Sequence, residues 1–162
     1  MDEEEKQANE GWLDFFRRKG RFGEFILFAW SAIEANIDMA LIAEFGLLGK
    51  LGQRAGEGVP FDETDEFSKK SKFLLDIPFG RRMDFLSKSG VIKKEEFSVL
   101  HEFQRDRNRF FHGREPSFIH LSPDEKDGIM DRGSKATTTS FDIAERSVIV
   151  DMIHGTHDNS SN

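Results

Sequence analysis

The sequence predicts an all-α fold, an up-and-down bundle of four to five main helices. Three observations predict it. Apolar residues recur every three or four positions in several long stretches, strand-like alternation is confined to Val91-Ile92 and a few threonines near 137–139, and the chain is 33% charged with only 4 Pro. With 162 residues, 37% of them hydrophobic and 17 of them Phe, the chain has enough apolar material to close one core. The sequence divides into a mobile acidic leader over 1–10, a single helical domain over 11–155 and a mobile tail over 156–162.

The domain is expected to begin at Trp12-Leu13-Asp14-Phe15-Phe16, followed by Arg17-Arg18-Lys19. This reads as a first turn docking on the core rather than a helix lying on a membrane surface. A long helix follows from Phe22 to Phe45, with Leu27, Trp30, Ile33, Ile37, Leu41 and Phe45 at helical spacing and Gly46 as the stop. Glu34 stands at the margin of that stripe, either solvated or half-buried against a cation. Gly46, Gly49, Gly52, Gly56 and Gly58 suggest a phosphate loop, but Leu51 follows Gly49-Lys50 and no strand precedes. The segment is therefore read as a connection.

A second helix is expected from about Thr64 to Leu75, breaking at Pro78. A third carries Phe79, Met83 and Leu86 and ends at Gly90. The next starts near Lys93-Lys94-Glu95-Glu96, runs through Phe97, Leu100, Phe103, Phe110 and Phe111, and must stop by Gly113, with Pro116 beyond. Ser122-Pro123-Asp124-Glu125 reads as a capping box opening a short helix before Gly133. The stretch GSKATTTS over 133–140 reads as a polar link, and Asp142-Ile143-Ala144-Glu145 as a second capping box, opening a helix to Gly155.

Composition narrows the chemistry. There is no Cys, which excludes disulfides, thiolate nucleophiles and thiolate zinc sites. The start Met1-Asp2-Glu3-Glu4-Glu5 has the wrong charge for a secretory leader, and no apolar run of about 18 residues that could span a bilayer is read in the sequence, so the expected location is the cytoplasm, with no membrane partner. A net charge of −7 argues against nonspecific coating of nucleic acid. A local basic patch remains, since Arg105, Arg107, Arg109 and Arg114 fall within ten residues. His154, His157 and Asp158 lie close together in the tail, where nothing would orient them as metal ligands, so no metal and no cofactor is expected.

The pointed feature is Arg107-Asn108-Arg109-Phe110-Phe111-His112 at a helix end. At about 100° per residue, Arg107 projects into the apolar face of its helix. A guanidinium there needs a carboxylate such as Glu34, or a cleft or subunit interface. On the adjoining face His101, Arg105, Asn108 and His112 follow at spacings of four, three and four, so they are surface neighbours. The free carbonyls at the helix end favour protonated His112, placing its titration close to neutral pH.

The string RDRNRFFHG resembles the Arg-polar-x-x-x-His signature of the HEPN superfamily, whose members are small helical bundles. PFGRRMDFLSKSGVIKKEEFSVLHEFQRDRNRFFHG is similar to that family's short helix, Gly turn and long motif-bearing helix, and FAWSAIEANIDMAL resembles its earlier long helix, with Glu34 as the acidic residue often found there. The resemblance spans roughly 22–113. It implies a metal-independent endoribonuclease, frequently a toxin or antiviral effector, that acts on RNA as a homodimer and is sometimes paired with an antitoxin protein. It implies that His112 exchanges a proton with the ribose 2′-hydroxyl or the leaving 5′-oxygen. Arg107 would then hold the scissile phosphate and Asn108 would orient His112 or the phosphate. Arg105, Arg109 and Arg114 would bind substrate, with Glu34 and His101 in support. Arg105 also fits the permitted spacing to His112. The alternative is a non-catalytic helical dimer, similar to the mannitol-operon repressor group, in which Arg107 is an ion-pair residue and His112 a helix cap.

Overall fold

The computed structural model describes residues 3–47, 66–112 and 120–158. Among these residues there are six α-helices and no strand: α1 (Glu3–Lys19), α2 (Phe22–Glu44), α3 (Glu66–Leu75), α4 (Phe79–Lys88), α5 (Lys94–His112) and α6 (Pro123–Asp158). The chain is all-α, as its periodicity requires. It divides into two compact units, Met1–Glu34 with Lys94–Asp142, and Ala35–Lys93 with Ile143–Asn162, and α2 and α6 contribute to both.

In the first unit the core is built from Ile26, Ala29 and Ile33 of α2, Leu100 and Phe103 of α5, and Ile129 and Ala136 of α6, all buried. Each large side chain removed from water in this way contributes about 1.5–3 kcal/mol. α1 docks through Phe16, whose ring meets Phe25 edge-on at 5.8 Å, and through Arg17, which hydrogen-bonds Asp127 at 3.1 Å and also Asp131. Asp127 and Asp131 are four apart on α6, so one guanidinium offsets the mutual repulsion of two like charges one turn apart. α6 opens on the expected capping box: the Ser122 N–H donates to Glu125 Oε2 at 2.8 Å, and the Glu125 N–H to Ser122 Oγ at 3.2 Å.

In the second unit Ile37 and Leu41 of α2 share a core with Met83 and Leu86 of α4, Ile92 and Ile143. Arg82 ties the unit together, donating to the Ile77 carbonyl at 2.6 Å and pairing with Asp38. α2 stops at a left-handed Gly46 (φ 64°), whose N–H bonds the Ala43 carbonyl while that of Leu47 bonds Ile42. After α4 a left-handed Gly90 (φ 83°) turns the chain so that Val91 and Ile92 both donate to the Leu86 carbonyl.

Four expectations change. The stretch 133–140 is not a link: α6 is one helix of 36 residues, and neither Asp142 nor Gly155 marks an end. Its small residues serve close packing, because a Cβ on Gly133 would lie 2.7 Å from both Phe103 and Phe25. The hydroxyls turn inward on their own helix, Thr137 to the Gly133 carbonyl at 2.9 Å and Ser140 to Thr137 at 2.8 Å. Second, 3–10 forms the first half of α1. Third, Leu27 and Phe45, placed on the buried stripe of α2, are 52% and 48% exposed, and Phe25, Ile26 and Ala29 are buried instead. Fourth, α2 is long and apolar enough by composition to cross a membrane, with a mean hydropathy of 1.6 over a window of which 44% is buried inside the structure. The glycine-rich stretch 48–65 lies outside the described residues, as do the side chains of His154, His157 and Asp158.

Candidate functional site

The C-terminal half of α5 gathers the residues singled out by the sequence. Glu95 and Glu96 in the first turn favour the helix start, and Leu100 and Phe103 anchor it, both essentially inaccessible to water. Beyond them the helix carries Arg105, Arg107 and Arg109 and remains regular through His112. Arg107 is half-buried. Its guanidinium lies over the ring of Trp30 at 5.0 Å and over that of Phe111 at 5.4 Å, and Nη1 donates to Asn108 Oδ1 at 3.1 Å. The two π faces offer their negative potential to the guanidinium.

Asp106, which would otherwise offset the three arginines, is engaged elsewhere. Arg132 of α6 donates to its Oδ2 at 2.7 Å and lies 3.8 Å from Glu102. The Arg132 guanidinium is held above its ordinary value, first by the hydrogen bond to Asp106, against desolvation and with added pull from the charges of Asp106, Glu102 and Asp131. Arg109 faces the capping region, where its charge contributes to holding the Glu125 carboxyl below its usual value.

Helical register places positions 101, 105, 108 and 112 on one face, while 107 and 112 stand about 140° apart around the axis. Asn108 links the two sets, because it shares the face of position 112 and also accepts from Arg107. On this face His101 is exposed and its ring stacks on Phe97 at 5.9 Å, and Arg105 is exposed. Glu34 is half-buried on α2. The His112 side chain and all of Arg114 lie outside the described residues.

Beside Arg107 an apolar groove of about 290 Å³ is lined by Phe22, Ile26, Leu27, Phe110 and Phe111. Phe22 meets Phe110 edge-on at 5.2 Å at its base, while Leu27 and Phe111 remain 52% and 44% exposed at its rim.

Sequence reasoning missed Trp30, Phe111 and Arg132 as parts of this site. One signal was legible: the positions three and four away from Arg107 are Phe103, Gln104, Phe110 and Phe111, with no carboxylate among them and an aromatic ring one turn on. The Arg132 contact crosses 26 positions and left no local signature.

Comparison with protein-family models, with curated proteins and with solved structures finds no match for this chain.

Proposed function

We propose that the chain is a metal-independent endoribonuclease of the HEPN type, working in the cytoplasm as a homodimer and serving as a toxin or antiviral effector, with an antitoxin protein as its regulator. The observation that carries this reading is the Arg107 guanidinium, hydrogen-bonded to Asn108 in a row of arginines five residues ahead of a histidine that ends the helix. In the proposed reaction His112 takes the proton of a ribose 2′-hydroxyl, and the 2′-oxygen attacks the adjacent phosphorus. The bond to the 5′-oxygen breaks as the second copy of His112 returns a proton to it, leaving a cyclic phosphate and a 5′-hydroxyl. Arg107 stabilises charge on the phosphoryl oxygens, and the exposed Arg105 and Arg109 hold flanking phosphates. The need for a 2′-hydroxyl restricts the substrate to RNA. The rim of Leu27 and Phe111 beside the arginines supports dimerisation, since exposed apolar patches of this kind mark interaction surfaces.

A second reading has its own support. A guanidinium seated against two aromatic rings is also how a structural arginine is held, and this favours a non-catalytic dimer akin to the mannitol-operon repressors. Cleavage of a labelled RNA by the full chain in the presence of a metal chelator separates the two. The nuclease predicts cleavage with EDTA present, none of a 2′-deoxy substrate, and a loss of about 10²–10⁴-fold in His112→Ala with the fold unchanged. Arg107→Lys and Arg105→Ala, measured alongside, identify the phosphate-binding arginine. Equal cleavage by wild type and His112→Ala removes the catalytic assignment.

A further inference from the structure

The outward face of α5 carries more than the reacting residues. At about 100° per residue, positions 94, 98, 101, 105, 108 and 112 fall within about 40° of one line along the helix, and they read Lys94, Ser98, His101, Arg105, Asn108 and His112. We propose that this line is a track for a single strand of RNA, which runs from position 112 back to Lys94 and stacks one base on His101. The inference rests on the ribonuclease reading and extends it from one phosphate to the strand that carries it.

The charges on α5 are sorted for such a ligand. In a chain of net charge −7 the line holds no carboxylate along a helix of 19 residues. The acids of the helix lie off it: Glu95, Glu102 and Asp106 at about 80–120° to one side, and Glu96 near the opposite face. Arg132 of α6 offsets that acidic side, through its bond to Asp106 at 2.7 Å and its approach to Glu102 at 3.8 Å. Lys94 and Arg105 are exposed, and among the described residues neither forms an ion pair. Arg109 is exposed beside the line. Between Lys94 and Arg105, Ser98 folds its hydroxyl onto the Lys94 carbonyl at 3.1 Å. The exposed His101 ring lies nearly parallel to that of Phe97, 15° apart with centroids at 5.9 Å. It is a flat ring backed on one side and open to solvent, the form on which an unpaired base stacks, and cations on either side of such a ring complete a single-strand site. A duplex fits less well, because its bases are stacked on one another and do not reach the ring. The rise from Lys94 to His112 is about 27 Å, room for about four nucleotides, the low end of single-strand sites.

The test is fluorescence anisotropy of the full chain with a labelled, mixed-sequence 2′-O-methyl RNA of about twelve nucleotides, in EDTA, from low to physiological salt. The methyl group removes the nucleophile, so binding is read apart from cleavage. The single strand should bind about tenfold or more tightly than the same strand annealed to its complement. Lys94→Gln and Arg105→Gln should each flatten the slope of log affinity against log salt by about 0.7, the share of one phosphate contact on a single strand. His101→Ala should weaken binding about tenfold, and His101→Phe should restore it, because the ring is what the base requires. Lys88→Gln, at the end of α4 and outside this unit, should leave binding unchanged. The proposal is overturned by equal binding of strand and duplex, or by a Lys88→Gln effect equal to that of Lys94→Gln, which would mean diffuse attraction. Displacement by polyglutamate as effective as by unlabelled RNA overturns it too, and assigns the face to an acidic protein. Cleavage of ordinary RNA by a chain whose binding ignores Lys94→Gln and His101→Ala removes the track and leaves the nuclease. Binding as expected by a chain that cuts no RNA removes the nuclease and leaves the track.

Discussion

Replacing Gly133 by Ala is expected to destabilise the protein, although an interior helical glycine ordinarily costs about 1 kcal/mol relative to Ala. The added methyl would stand 2.7 Å from Phe103 Cε2, 2.7 Å from Phe25 Cε1 and 2.9 Å from Phe103 Cζ. Carbon atoms rest at about 3.5–4.0 Å. Phe103 and Phe25 are 0% and 4% exposed, so neither ring has solvent to retreat into, and a ring edge does not bend. Either α6 moves outward or both rings leave their preferred rotamers, an overpacking cost of about 1–3 kcal/mol. Set against the propensity gain, the net change is a loss of about 0–2 kcal/mol. Gly128 is the control within the same helix, because its Cβ would meet only Arg132 Nη1 at 3.6 Å, an ordinary contact. Gly128→Ala should therefore keep the whole gain of about 1 kcal/mol. The two variants should differ by about 1–3 kcal/mol, with each kcal/mol worth about 2–4 °C in Tm for a chain of this size. Urea and thermal melts followed by far-UV circular dichroism measure this directly. A Gly133→Ala protein as stable as Gly128→Ala would show that the helix and the two rings do not meet at the described distance.

Two further predictions concern the same unit. The Glu125 carboxyl is held below its usual value by the Ser122 N–H first and the Ser122 hydroxyl second, so its stabilising effect is present above the unfolded value of 4.5 and lost as pH falls through the lower folded value. Glu125→Gln keeps the cap geometry and cannot titrate. Wild type should thus be the more stable protein at neutral pH and lose that advantage in acid, and a Tm difference flat in pH would contradict the assignment. Leu27→Asp places a charge at the rim of the apolar groove; if two copies meet there, light scattering should show a change from twice 18.6 kDa to 18.6 kDa with helicity retained. A variant that stays dimeric would move the interface elsewhere.

Several helix starts and stops were legible where chemistry was local, although the equally local pattern at Asp142–Glu145 marks none. Gly46 and Gly90 end helices because they accept the left-handed backbone, and Ser122 with Glu125 opens one because two side-chain bonds close within four residues. The sequence misled at 133–140, where Gly, Ser and Thr have poor helix propensity yet are the residues small enough to pass Phe25 and Phe103. Tertiary packing overrode local preference there. Leu27 and Phe45 were misplaced for a related reason: α2 is apolar on nearly every face, so its periodicity alone could not say which side is buried. At the site, the placement of Arg107 and Asn108 at a helix end was legible from spacing. The partners of Arg107 were not, because Trp30 lies 77 positions earlier in the chain and an aromatic face writes no charge pattern into the sequence.

The seat of Arg107 on Trp30 has an optical consequence. The chain holds two Trp and no Tyr, and they differ sharply: Trp12 is 53% exposed, whereas Trp30 is 6% exposed beneath a guanidinium. In Trp12→Phe the remaining indole emits alone, and its intensity and colour depend on the cation resting above it. An anionic ligand that draws Arg107 aside would register as a change in intrinsic fluorescence, so the arginine reports its own occupancy without a label.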